Sequence, residues 1–168
     1  MAETAKASKS TLMKVLDGFS WLPEKQRASA FSLVFGTAVK FFGTASLKFE
    51  EVSPERSVVY IRNRRKVQNH IGGVHAVAMA LIAESATGSI VGLNLGSESI
   101  PVIKTMTVNY LKRAKGDMRA EATLTAEQIE QIKTTPKGEV EVACKVTDEE
   151  GKEPITVSMI WAWTPARR

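Results

Sequence analysis

The chain has 168 residues, 43% of them hydrophobic and 24% charged, a length and composition that fit one globular domain with a substantial core. Lys and Arg exceed Asp and Glu by 23 to 18, a formal net charge of +5 that attracts anionic partners without identifying one. The single cysteine excludes an internal disulfide, and with only two histidines beside it no structural zinc site or other metal centre is expected.

No apolar run reaches the ~20 residues of a membrane span. The opening Met-Ala-Glu-Thr-Ala-Lys-Ala-Ser-Lys-Ser lacks the continuous apolar stretch of a secretory leader, so a cytoplasmic location is expected. Leu12, Val15, Leu16 and Phe19 recur at helical spacing. After Pro23, placed in the first turn of a second helix, Ala28, Phe31, Phe35, Val39 and Phe42 form another stripe that Gly43 would end. Residues 1–43 therefore read as a helical extension packed on a main body spanning 44–168.

From Thr44 the period changes, and extended segments are expected at 44–52, 56–63, 89–95, 101–112, 117–125, 138–148 and 153–164. In the sixth, Val140, Val142, Cys144 and Val146 alternate with Glu139, Glu141, Ala143 and Lys145; in the seventh, Ile155, Val157, Met159, Trp161 and Trp163 share a side. One apolar face per strand is the pattern of a largely antiparallel sheet covered on one side. Asp148-Glu-Glu-Gly151-Lys reads as a hairpin connection, and 126–133 as a short helix. Cys144 counts with the core of its strand rather than as a nucleophile.

Between the second and third extended segments lies a stretch that is apolar on almost every face, from about Val74 to Thr87. A helix of this kind is expected to be buried on nearly all sides. Its one charge, Glu84, follows a polar loop, Asn69-His70-Ile71-Gly72-Gly73-Val74-His75. A carboxylate among apolar neighbours is costly unless paired, and its pKa tends to rise, which suits a general acid or base. One helix held against five or more antiparallel strands is an α+β layer arrangement.

Arg62, Arg64, Arg65 and Lys66 form the densest basic run, immediately before Asn69. It reads as a solvated loop or a holder of ligand phosphates. Without a zinc, helix-turn-helix or paired-aromatic signature, nucleic acid is not the expected partner. Gly-x-Ser-x-Gly and the Rossmann or Walker loops are absent from the sequence, so neither a serine triad nor a phosphate-loop nucleotide site is expected.

Asn69, His75 and Glu84, with five and eight residues between them, resemble the Asn…His…acid pattern at the start and middle of the central helix of hotdog-fold thioesterases. Within that family they look most like the phenylacetate-pathway (PaaI) type of acyl-coenzyme A thioesterase. Val108-Asn-Tyr110-Leu-Lys-Arg-Ala-Lys-Gly116-Asp is similar to the strand that follows, and Val146-Thr-Asp-Glu-Glu-Gly151-Lys to the last hairpin. The chain departs from the family pattern at Ala76-Val77, where glycines are common, and in having glutamate where many members have aspartate.

The resemblance implies a hotdog fold, its helix wrapped by a curved, largely antiparallel sheet. It also implies hydrolysis of an acyl-coenzyme A thioester without a cofactor, with Glu84 as general base or nucleophile. Asn69 would orient water or carbonyl, and His75 would fix the loop or polarise the substrate. Gly72 precedes the backbone N–H groups of Gly73 and Val74, the candidate oxyanion donors at the helix start. Arg64, Arg65, Lys112 and Arg113 are candidates for the coenzyme A phosphates. The family pairs its sheets edge to edge in homodimers, often assembled as dimers of dimers, with the Asn69/His75 loop of one chain facing Glu84 of the other. The alternative is a non-catalytic acyl-binding or structural hotdog protein; a hotdog hydratase usually separates its histidine and acid by more than the nine positions found here.

Overall fold

Period-two alternation of apolar and polar side chains builds the main layer. The structure, a computed structural model, describes residues 8–166; the remaining residues of the expected N-terminal extension, 1–7, lie outside it. Six strands among the described residues, β1 (Lys48–Val52), β2 (Arg56–Ile61), β3 (Ser99–Tyr110), β4 (Met118–Thr123), β5 (Gly138–Asp148) and β6 (Ile155–Pro165), form one sheet in the order β1-β2-β4-β5-β6-β3. Every pairing is antiparallel. Val140, Val142 and Val146 of β5 and Ile155, Met159, Trp161 and Trp163 of β6 are buried, as their alternation requires.

The apolar stretch is helix α4, Ala76–Asn94, 19 residues of which 15 are buried, about 28 Å long at 1.5 Å per residue. It packs against β2, β3, β4, β5 and β6, and a sheet reaches that many strands around one helix only by curving about it. This helix is long and apolar enough to match a membrane span in composition, yet it lies in the core of the sheet. A helix apolar on all faces has no other stable place in a layered α+β molecule.

The helix runs further than expected. Residues 89–95, read as a strand, are the last turns of α4 and its cap. Gly88, just beyond the expected end of the helix at Thr87, lies inside α4 and serves a packing purpose: a Cβ there would lie 2.5 Å from the Trp161 ring. The Trp161 indole N–H donates to Thr87 Oγ1 at 2.9 Å. Beyond it Ile90, Val91 and Leu93 are buried, and burial on all sides overrides their β propensity.

Three helices precede the sheet: α1 (Thr11–Gly18), α2 (Glu24–Ala38) and α3 (Lys40–Ala45). Pro23 is the cap of α2 rather than a first-turn residue. The stripe from Ala28 to Phe42 is divided at Val39, whose φ of −96° and ψ of 88° end α2 and begin α3. Gly43 is not a stop. It lies inside α3, where a Cβ would fall 2.4 Å from the carbonyl oxygen of Gly36, so the two glycines allow the helices to touch backbone to backbone. The turn into β1 is made instead by Ser46 in the left-handed region, φ 54°.

Phe31, Phe35, Phe42 and Phe49 are buried and meet at ring-centroid distances of 5.0 to 5.7 Å, which fastens α2 and α3 to β1. Such contacts are worth ~0.5–1.5 kcal/mol each beyond area burial. The short helix α5, Ala126–Thr134, opens with a reciprocal Thr125–Gln128 capping box. The β5–β6 hairpin closes on Asp148, whose buried carboxylate accepts the N–H groups of Lys115, Glu150 and Lys152 at 3.0 to 3.1 Å.

Candidate active site

Helix α4 places Glu84 half-buried in a groove of about 300 Å³ lined by Val39, Phe41, Val77, Ala80, Leu81 and Met106. Val77, Ala80, Leu81 and Glu84 share a helix face because they stand three, four and seven positions apart. Burial raises the carboxyl above the ordinary glutamate value; a 3.4 Å hydrogen bond donated by Ser85 Oγ opposes the shift only in part. Among the described residues Glu84 has no salt-bridge partner. A poised carboxylate on an apolar wall can take a proton from water or attack a carbonyl directly.

Asn69 is locked into the loop before α4. Its Oδ1 accepts the N–H groups of Ile71 and Gly73, each at 3.1 Å, and its own N–H donates to the Gly73 carbonyl at 2.9 Å. Gly72 carries a φ of 79°, a left-handed turn conformation that glycine adopts without strain. Asn63 Nδ2 donates to the Gly72 carbonyl at 3.1 Å and ties the loop to the end of β2.

Helix α4 begins two residues later than expected. Val74 lies before it, fully buried and bridged to Gln68. His75 is its N-cap: Nδ1 accepts the Val77 N–H at 3.1 Å, which puts the proton of the neutral ring on Nε2. The Gly73 N–H is engaged by Asn69 and the Val77 N–H by His75. In the first turn Ala76 and Ala78 lack an intrahelical acceptor, since the first helical bond is Met79 N–H to the His75 carbonyl at 3.0 Å. Their sequence signal was only their position behind a capping residue.

The basic candidates flank this loop. Arg64 and Arg65 open the turn of 3₁₀ helix at Arg65–Val67 that leads into it, and the loop holding Lys112 and Arg113 passes beside Gly73 at Ala114. All four are exposed and none forms an ion pair among the described residues. Lys66 is committed elsewhere, donating to the Thr44 carbonyl at 2.8 Å and to Ser46 Oγ at 2.5 Å. Tyr110, at the end of β3, donates from its hydroxyl to the Ala76 carbonyl at 2.8 Å and joins that strand to the start of α4. Cys144 is no nucleophile, since burial pushes its thiol up to about 12.

The architecture, a long helix cradled by a curved antiparallel sheet, is the hotdog fold. The chain belongs to the family described as a domain of unknown function, DUF4442, whose model matches residues 27–163. A Pseudomonas aeruginosa protein of unknown function named "Probable Thioesterase" is 27% identical and superposes with a TM-score of 0.73 over 86% of this chain and 97% of its own. A thioesterase family protein from Silicibacter pomeroyi shares the fold at 16% identity, TM-score 0.63, over 92% and 98%. A thioesterase from Haemophilus influenzae does so at 13% identity, TM-score 0.63, over 82% and 90%. No curated protein matches the chain.

Proposed function

We propose that the protein hydrolyses acyl-coenzyme A thioesters, with Glu84 as general base or nucleophile. The observation that carries this reading is a half-buried carboxylate, raised by desolvation and without a cation partner among the described residues, on the wall of an otherwise apolar groove. The name of the Pseudomonas aeruginosa relative supports thioester chemistry. The negative charge that develops on the thioester oxygen is met by the N-terminus of α4, with Ala76 and Ala78 as donors, while Val74, fully buried, contributes only if the loop opens. Gly73 contributes only if the substrate displaces its bond to Asn69. Asn69 and Gly72 shape that loop, His75 caps the helix, and Arg64, Arg65, Lys112 and Arg113 attract the coenzyme A phosphates from its rim.

The site is completed by a second copy of the chain. Strand β3 is a sheet edge with nine of its twelve residues exposed, among them Ile100, Val102, Ile103 and Met106. An apolar edge of that length is a template for pairing. In the resulting homodimer the Asn69/His75 loop of one chain faces Glu84 of its partner.

The test is release of free coenzyme A from short, medium, long and aromatic acyl thioesters by the natural chain and by Glu84→Gln. Turnover that falls by ~10²-fold or more in the variant is the expected result for loss of an acid–base group. Absence of turnover with every substrate, alongside tight acyl-ligand binding, identifies the non-catalytic binding protein instead.

A further inference from the structure

Two walls of the Glu84 groove come from a part of the chain far from the helix that carries it. Val39 reaches the groove from the junction of α2 and α3, and Phe41 from the first turn of α3. That junction is rigid: Val39 donates its N–H to the Phe35 carbonyl at 2.7 Å and accepts the Gly43 N–H at 3.2 Å. Gly36 and Gly43 interlock behind it. Phe42 is fully buried, its ring 5.0 Å from Phe35 and 5.1 Å from Phe49. With Phe42 anchored inward, its neighbours face outward, and Val39 and Phe41 remain 38% and 55% exposed.

We propose that Val39 and Phe41 are specificity-determining residues that form the wall of the acyl site and select uncharged acyl groups by size. This inference rests on the thioesterase reading of Glu84. Exposed large apolar side chains grouped around one polar group mark a ligand groove, and about 300 Å³ is at the small end of such sites. Glu84 decides what the occupant is. An apolar protein surface laid over it would bury an unpaired carboxylate, which is costly, whereas a thioester brings to the carboxylate the carbonyl it acts on. Apart from Glu84 the lining is aliphatic or aromatic. Among the described residues this chain's own lining offers no cation to a carboxylate-ended acyl tail, which at this wall would lose its hydration without compensation and meet a like charge.

The experiment compares kcat/KM over straight-chain acyl-coenzyme A substrates from acetyl to palmitoyl, with succinyl- and glutaryl-coenzyme A as charged counterparts. The proteins are the natural chain, Val39→Ala, Phe41→Ala, Phe41→Trp and, as control, Leu33→Ala, an exposed leucine of α2 outside this groove. Binding of the matching non-hydrolysable acyl thioethers is measured by calorimetry in parallel. Each methylene that Phe41 shields accounts for about fourfold in affinity or kcat/KM. Phe41→Ala is therefore expected to flatten the chain-length profile by roughly tenfold or more at its maximum, and Phe41→Trp to move the maximum to shorter acyl groups. Melting temperatures are expected to hold, because both side chains are exposed; should Phe41→Ala fail to fold, Val39→Ala and Phe41→Trp decide the matter.

Turnover by the natural chain with a length profile untouched by these substitutions overturns the inference and leaves the thioesterase reading standing. Preference for the charged substrates also overturns it. If no thioester is hydrolysed, the enzymatic reading fails and the thioether titrations decide: length-dependent affinity that shifts with Phe41 upholds the acyl wall, and unaltered affinity removes it.

Discussion

Glu84 was legible because a lone charge inside an unbroken apolar run is a one-dimensional signal. Its consequence for stability has a definite sign. Burial raises the folded-state pKa, so the native chain holds the proton more tightly than the unfolded chain, and stability falls as pH rises between the two values. Glutamine cannot ionise. Glu84→Gln is expected to melt above the natural protein at pH 7, with the gap closing below about pH 4, where both folded and unfolded carboxyl groups are protonated. Differential scanning fluorimetry across pH checks this, and a gap independent of pH would count against the buried carboxylate. The same shift places the acidic limb of kcat/KM above the ordinary glutamate range, as a pH–rate profile would read out. Val39 and Phe41 were not legible as groove residues. They stand more than forty positions from Glu84 in the sequence, Val39 falls in an apolar stripe and Phe41 in none; only the division of the helix at Val39 turns them outward.

Helices and strands whose alternation is clean, such as β5 and β6, follow from their sequences because one buried face imposes one period. Two glycines serve packing rather than helix termination. Gly43, expected as a helix end, and Gly88, inside α4, each accommodate a neighbour that would collide with a Cβ, and a neighbour supplied by tertiary packing leaves no trace in local sequence. Gly88→Ala is expected to cost ~1–3 kcal/mol, the range for overpacking a tight core, since the methyl group would displace the Trp161 ring. Urea denaturation followed by tryptophan fluorescence measures it; an unchanged midpoint would mean that the ring moves freely. Gly43→Ala should cost more, because its obstacle is the backbone of Gly36, which cannot rotate aside.

The complete molecule presents one apolar sheet edge, and its burial by a second copy belongs to the proposed function. Stable interfaces of standard size bury ~1,200–2,000 Å², and a charge placed centrally on such a surface opposes association. Met106→Glu and Val102→Lys, both at half-exposed positions of β3, are therefore expected to yield monomers where the natural chain is dimeric. Light scattering after size exclusion distinguishes the two, and a natural chain that is monomeric at micromolar concentration would remove the edge-to-edge arrangement. Because Met106 also lines the Glu84 groove, Val102→Lys isolates the effect of assembly on turnover.

The sheet order has a kinetic consequence. Among the described residues strand β3 pairs only with β6, Tyr110 opposite Ile155 and Ser99 opposite Pro165, so its register is settled by residues late in the sequence. Long-range pairing of this kind is slow to form. On the ribosome, the longest apolar edge strand must wait until the C-terminal hairpin has emerged, exposed in the meantime to other nascent chains. Refolding from denaturant should accordingly lose yield with rising protein concentration, and truncation before Ile155 should turn that delay into permanent aggregation.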